Sequence, residues 1–166
     1  MRMTRALYHS VLADLSRPHL FAKERVGFLF ARLGTAANSL HLVFPVDYAP
    51  VPDEQYIKAA NLGIGAEISS ASIRLAMQRT MDTGEGALHV HMHEHSGRPR
   101  FSRIDSRELP LLVTSFQYAC PGAAHGGLLL SKDDAIALLW LPGQADPIPA
   151  ERISIVGYPL GFYGRQ

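Results

Sequence analysis

The sequence has little cysteine, because Cys120 is the only one among 166 residues. A single thiol cannot form an internal disulfide, so the fold must be stabilised by its apolar core. The neighbours Tyr118, Ala119 and Pro121 favour a small buried residue over a reactive nucleophile. We therefore predict a reducing compartment and a cytoplasmic location.

Charge of one sign and long hydrophobic runs are also lacking. Sixteen basic and fifteen acidic side chains give a formal net charge of +1, so the composition predicts no nucleic-acid partner. No stretch is apolar for long enough to span a membrane, and Met1 to Leu15 lacks the continuous apolar segment of a signal peptide. The length and the 47% apolar fraction predict one globular domain over residues 1–166.

Histidine is concentrated in one short segment of the chain. Four of the eight histidines fall within seven residues, in the segment A-L-H-V-H-M-H-E-H. Because side chains alternate along a strand, His89, His91 and His93 are expected on one face, where an adjacent pair could bind one metal ion. Asp105 follows after a predicted turn and could add an oxygen ligand. The alternative is a set of solvent-exposed histidines on an edge strand.

The spacing of these residues has the form H-x-H, eight residues, then S-x-x-D. His91 and His93 supply the first part, and Ser102 and Asp105 supply the second. This pattern resembles the signature of the JAB/MPN zinc metalloproteases, which is often called the JAMM motif.

The register of the motif is not unique. His89 and His91, followed by ten residues, also fit the limits of the pattern. We favour His91 and His93, because the shorter loop keeps both ligands near the end of the strand. Glu94 stands where the family usually has proline, which affects the local turn more than the ligands.

The family also has a glutamate near the start of an upstream strand, in a setting like E-x-x-G-x-L. The segment from Glu24 to Leu29 has this form, so the resemblance covers roughly residues 19–141. It implies a single Zn²⁺, a general base and a donor that stabilises the oxyanion. By this resemblance the metal ligands are His91, His93 and Asp105, the general base is Glu24, and the oxyanion donor is Ser102.

Each of these residues also has a simpler interpretation. Ser102 and Asp105 fit a capping box that starts a helix, a role compatible with catalysis. Glu24 could be an ordinary charged residue at a strand edge. Of the other histidines, His89 is a candidate outer partner of the metal ligands, and His125 is interpreted as a turn or sheet residue.

The activity implied by the resemblance is that of a zinc-dependent isopeptidase or peptidase, deubiquitinase-like and similar to stand-alone bacterial members. It would cut after the C-terminal tail of a ubiquitin-like protein, whose activating and conjugating enzymes are further candidate partners. A Gly-Gly tail would enter a narrow groove walled by Asp47 to Gly65 and by Glu94 to Phe101. The alternatives are maturation of a sulfur-carrier protein and a catalytically inactive scaffold domain.

Periodicity and turn residues predict an α/β fold, and the resemblance implies a mixed β-sheet sandwiched by helices, the cytidine-deaminase-like or JAB/MPN fold. Pro110 is compatible with a helix only in its first turn. The predicted helices are Thr4 to Leu15, Ser69 or Ser70 to Thr83, and Arg107 to Tyr118; the predicted strands are Arg25 to Leu33, Leu40 to Pro45, the histidine segment, Gly127 to Leu130, Ala135 to Leu141 and Arg152 to Val156.

Overall fold

The computed structural model describes residues 1–18, 22–36, 40–57 and 65–164. It has the mixed α/β class predicted from the sequence. In chain order the elements are β1 (Arg2–Thr4), α1 (Arg5–Leu15), β2 (Val26–Thr35), β3 (His41–Pro50), α2 (Ser70–Thr83), β4 (Gly86–Met92), α3 (Arg103–Ala119), β5 (His125–Leu130), β6 (Ala135–Trp140), β7 (Ile148–Pro149), β8 (Arg152–Val156) and β9 (Gly161–Gly164).

The main sheet has six strands in the order β3-β2-β4-β5-β6-β7. Only the pairing of β4 with β5 is parallel, and α3 makes the crossover between these two strands. The histidine strand β4 therefore lies in the interior of the sheet, paired on both sides. The edge-strand alternative for its histidines is wrong.

The two faces of β4 pack into different hydrophobic cores. Leu88 and Val90 are fully buried in a core that α1 and a second, smaller sheet complete. On the opposite face, Phe28, Phe30 and Phe116 form a separate core with α2 and α3. Since alternate residues of a strand face opposite ways, the histidines of β4 belong to the face covered by α2 and α3.

The expectation that helices alone cover the main sheet is wrong, because a second, smaller sheet packs beside α1 on one face. It has the order β1-β8-β9, and its parallel pairing of Met3 with Ile155 joins the two ends of the chain. Both of these side chains are buried in the core beside α1. Strand β8 agrees with the prediction, whereas β1 and β9 were too short to be recognised.

The first two helices begin where their capping residues predict. The side chains of Thr4 and Ser69 accept hydrogen bonds from the first turns of α1 and α2, and α2 ends at Gly84 in the left-handed conformation, with φ of 70°. Among the residues described, no helix combines the length and apolarity needed to cross a membrane.

Helix α3 differs from its prediction, because it begins at Arg103 and contains Pro110 in its interior. The expectation that Pro110 lies in the first turn is wrong. The proline leaves the carbonyl of Ser106 without its helical donor, but Ser106 is exposed and water can reach it. Burial of Leu109 and Val113 against Trp140 offsets the loss.

Candidate metal centre

The second half of β4 and the residues just after it present a row of imidazole rings. The ring centroids of His89 and His91 are 5.4 Å apart, and those of His91 and His93 are 5.3 Å apart. The predicted placement of these three side chains on one face is thus confirmed. His91 is only 2% exposed, whereas His93 follows the end of the strand and is partly open to solvent.

Glu24 approaches this row from the start of β2. Its carboxylate oxygen Oε1 lies 3.6 Å from Nε2 of His93. One ligand atom from each of Glu24, His91 and His93 can be chosen so that all three lie within 4.8 Å of one another. These atoms form a group able to hold a metal ion, and its members come from distant parts of the sequence.

Asp105 approaches His91 from the first turn of α3, but it is not part of the group of ligand atoms formed by Glu24, His91 and His93. Its Oδ1 lies 3.6 Å from Nε2 of His91, while its Oδ2 accepts a 2.7 Å hydrogen bond from the backbone N–H of Ser102. Partial burial raises the pKa of the Asp105 carboxyl, but His91 and Ser102 outweigh this effect and hold the pKa well below its ordinary value. The side chain is therefore an ionised carboxylate with one oxygen directed at the histidines.

Ser102 has the structural role that its spacing from Asp105 predicts. Its Oγ accepts a 3.1 Å hydrogen bond from the backbone N–H of Asp105, which completes the capping box. Ser102 Oγ is the acceptor in this hydrogen bond, so the cap does not use the hydroxyl proton, which can still be donated. The capping role and the predicted catalytic role can coexist.

Both ring nitrogens of His91 are buried and lack a hydrogen-bond partner among the residues described. Buried polar atoms are normally paired, and the 3.6 Å distance to Asp105 is too long for a hydrogen bond. A metal ion bound to one nitrogen would satisfy it. Burial lowers the pKa of His93, an effect that His91 reinforces and Glu24 opposes, so His93 favours the neutral form that binds metals. The centre therefore fits a metal ion.

Two contacts hold the start of β2 next to Glu24. The guanidinium of the buried Arg25 donates hydrogen bonds of 2.7 and 3.2 Å to the carboxylate of Asp53. The hydroxyl of Tyr56 accepts a 2.8 Å bond from the N–H of Val26. These contacts fix the backbone beside Glu24 to the segment after β3, and sequence patterns alone did not indicate them.

Gly65 supports Glu24 directly. Its carbonyl accepts hydrogen bonds from the N–H groups of Lys23 and Glu24, at 2.7 and 3.2 Å. A Cβ atom at Gly65 would lie 2.7 Å from Oε2 of Glu24, which is closer than real side chains approach. The absence of a side chain at Gly65 is therefore a condition for the observed position of the carboxylate.

For the peptide hydrolase that the sequence resemblance implies, we predict that Gly65→Ala lowers turnover, on the order of 10²-fold, while the protein remains folded and metal-binding. The added methyl group must displace the Glu24 carboxylate, and a shift of about 1 Å in a reacting group has an effect of this size. The measurement is kcat for peptide cleavage with metal content determined in parallel. Gly122→Ala is the matched control, since a Cβ there meets nothing within 4 Å. Equal rates for the two variants would contradict this role of Gly65.

His89 and His125 lie in different surroundings. The ring of His89 lies 6.0 Å from that of Phe28, and burial, with His91 adding to it, lowers the pKa of His89 to about 3. His125 is fully buried; it accepts a 3.1 Å hydrogen bond from the N–H of Ala87 and donates a 2.8 Å bond to the carbonyl of Cys120. The interpretation of His125 as a sheet residue is confirmed, whereas Cys120 is only partly buried.

Gly27, which belongs to the E-x-x-G-x-L pattern, has a packing role. A Cβ at this position would lie 2.4 Å from the hydroxyl oxygen of Tyr48 on the neighbouring strand. The Tyr48 hydroxyl in turn donates a 2.6 Å hydrogen bond to Asp14 of α1. Gly27 thus allows the aromatic ring to cross β2 and connect the main sheet to α1.

A pocket of about 550 Å³ opens beside the centre. His89, His91 and Asp105 line it, together with apolar side chains that include Ile73 of α2 and Ile104, Leu109 and Leu112 of α3. Phe101, from the predicted Glu94 to Phe101 wall, lines the pocket; residues 66–68 and Ile73 also line it, and they lie beyond the predicted Asp47 to Gly65 segment. Residues 58–64 of that segment lie outside the described part of the chain.

In comparisons with known proteins, no family model and no curated protein matches this chain. The case for its function therefore rests on the centre itself. Its residues are Glu24, His91, His93, Ser102 and Asp105.

Proposed function

We propose that this protein is a zinc-dependent peptidase of the JAB/MPN (JAMM) type, with the fold of that family. In this proposal it cuts an amide or isopeptide bond after the C-terminal tail of a ubiquitin-like protein. The proposal rests above all on His91, which is buried with both ring nitrogens unpaired. Glu24, His93 and Asp105 lie around it with atoms of the kind that bind metals or transfer protons.

Zinc is the metal that suits these side chains. His91, His93 and Asp105 would hold it through two nitrogens and one oxygen, a ligand set that leaves a position open in a catalytic zinc site. Magnesium and calcium prefer oxygen ligands, so the two imidazoles argue against them. Zinc bound here would supply a Lewis acid that polarises the scissile carbonyl and lowers the pKa of water.

Glu24 and Ser102 perform the remaining steps in this mechanism. Glu24 takes a proton from the attacking water and delivers it to the leaving amine as the C–N bond breaks. Its side chain is 25% exposed, so water and substrate can reach the carboxylate. Ser102 donates its hydroxyl proton in a hydrogen bond to the oxyanion that develops on the carbonyl. The products are a free carboxylate on the tail and a free amine.

The biological setting is proposed on the same basis. The substrate would be a ubiquitin-like or sulfur-carrier protein, and the activating and conjugating enzymes of that modifier are candidate partners. The proposed location is the cytoplasm, with neither nucleic acid nor membrane among the partners. We propose that an extended tail lies along the 550 Å³ pocket, since the proposed ligands His91 and Asp105 line it.

We predict cleavage of a fusion in which a ubiquitin-like domain with a Gly-Gly tail precedes a reporter. Replacement of either glycine by valine should reduce the rate sharply, because branched side chains near the cut block an extended backbone from the groove. Gel electrophoresis and mass spectrometry of the products measure the rate and locate the cut.

The controls separate the competing functions. Equal cleavage of the valine variants, or of unfolded casein, would show a general peptidase. Cleavage of the linear fusion without cleavage of an isopeptide-linked conjugate would favour maturation of a sulfur-carrier protein. Absence of all cleavage by the zinc-loaded protein would favour the scaffold alternative.

A further inference from the structure

The loop between β4 and α3 carries a cluster of arginines at the edge of the metal centre. It connects His93 to Ser102, so the centre borders it at both ends. Arg98 and Arg100 lie in this loop, and Arg103 begins α3. We call these three residues the arginine rim.

The arginines of the rim are free to meet a partner. All three are exposed, and none takes part in an ion pair or side-chain hydrogen bond among the residues described. The next arginine along α3, Arg107, differs because Glu108 lies 2.7 Å from it. Glu94 is the only acidic residue of the loop over residues 94–101, so the loop has an excess of positive charge.

Packing and hydrogen bonds fix the backbone of the loop from which the arginines extend. Pro99 is buried and Phe101 is half-buried against the ring of His91, with 6.4 Å between the ring centroids. The exposed arginines at positions 98 and 100 alternate with these inward-facing residues. At the other end of the loop, the N–H of Gly97 donates a 2.6 Å bond to Asp133, and the N–H of Lys132 donates to the carbonyl of His95.

We propose that the arginine rim is a docking surface for an acidic segment of the substrate protein, next to the bond that is cut. This inference rests on the proposed peptidase function and adds a substrate class to it. The chain as a whole is almost neutral, with a net charge of +1, so three unpaired arginines beside the centre are a local feature. Guanidinium groups bind carboxylates in paired hydrogen bonds, and a charged surface speeds the association of a partner of opposite sign.

The test uses two labelled peptides with Gly-Gly at the centre and either glutamates or lysines at both ends. Binding to the zinc-loaded Glu24→Gln protein is measured by fluorescence anisotropy, and cleavage by the wild-type protein is measured separately. We expect the acidic peptide to bind about tenfold more tightly than the basic one at 0.1 M salt. The difference should largely disappear at 1 M salt, where the screening length falls from ~10 Å to ~3 Å.

Two double variants test whether the arginine rim causes the preference for the acidic peptide. Arg98→Glu with Arg100→Glu should remove or reverse the preference for the acidic peptide, and in the wild-type background should raise KM while leaving kcat within about twofold. Arg2→Glu with Arg152→Glu is the matched control. It changes the charge equally in the small sheet, which packs on the opposite face of the main sheet, and should preserve the preference.

The outcomes of the inference and of the proposed function are distinguishable. Selective binding of the acidic peptide without any cleavage would support the docking surface and contradict the peptidase. Cleavage of both peptides with equal binding, or loss of selectivity in the Arg2 and Arg152 control, would overturn the docking surface alone. Tighter binding of a single-stranded oligonucleotide than of the acidic peptide would overturn the choice of an acidic protein segment.

Discussion

Replacement of His91 by alanine should abolish stable zinc binding. The wild-type protein should carry about one zinc per chain, and the loss of a direct ligand should weaken the affinity by more than ~10²-fold, since loss of an outer hydrogen-bond partner alone costs 10–100-fold. Asp105→Ala and His93→Ala should have the same effect. Elemental analysis after dialysis against a weak chelator measures occupancy, and a competition titration measures affinity.

His89→Ala is the matched control for this prediction, because it removes a histidine from the same face of the same strand. It should leave zinc occupancy unchanged. If His91→Ala and Asp105→Ala both retained full zinc, the ligand assignment would be wrong. Loss of zinc from His89→Ala together with its retention in His93→Ala would move the ligands to His89 and His91, the other register that the motif allows.

Replacement of Glu24 by glutamine should stop most of the hydrolysis without removing zinc. The amide keeps the size of the side chain but cannot accept the proton, and the loss of a general base lowers rates by ~10²–10⁴. Single-turnover cleavage of the Gly-Gly fusion gives the rate, and elemental analysis of the same preparation gives the zinc content.

This prediction distinguishes a general base from a metal ligand, because Glu24 is close enough to His91 and His93 to bind the metal itself. Loss of zinc from Glu24→Gln would show that Glu24 binds the metal, and full activity would contradict its role as the base. Glu151→Gln is the control, since Glu151 is an exposed carboxylate just before β8, away from this site. Its activity should match that of the wild type.

The alternation of β4 explains why this part of the fold could be predicted from the sequence. Leucine and valine alternate with histidine, so one face is apolar and the other carries ligand atoms. The pattern does not tell an edge strand from an interior strand, because that depends on which other strands pair with it. The pairing of β4 with both β2 and β5 buries His91, and this burial makes its ring nitrogens candidate metal ligands.

Contacts between distant residues were beyond prediction. Gly65 supports Glu24 through its carbonyl and its missing side chain, and a single glycine in a long loop carries no signal of that role. The salt bridge of Arg25 with Asp53 also joins residues that are distant in the sequence, and no sequence pattern links them. Pro110 shows the limit of a local rule, because tertiary packing of Leu109 and Val113 keeps a helix where propensity alone would end it.

Crystals grown with zinc and measured on both sides of the zinc absorption edge would test the proposed centre most directly. We predict one anomalous peak per chain, ~2.0–2.2 Å from a nitrogen of His91, a nitrogen of His93 and an oxygen of Asp105. Glu24 should lie beside the peak without a direct bond to the metal. A peak coordinated by His89 in place of His93, or no peak among these side chains at full zinc loading, would contradict the account.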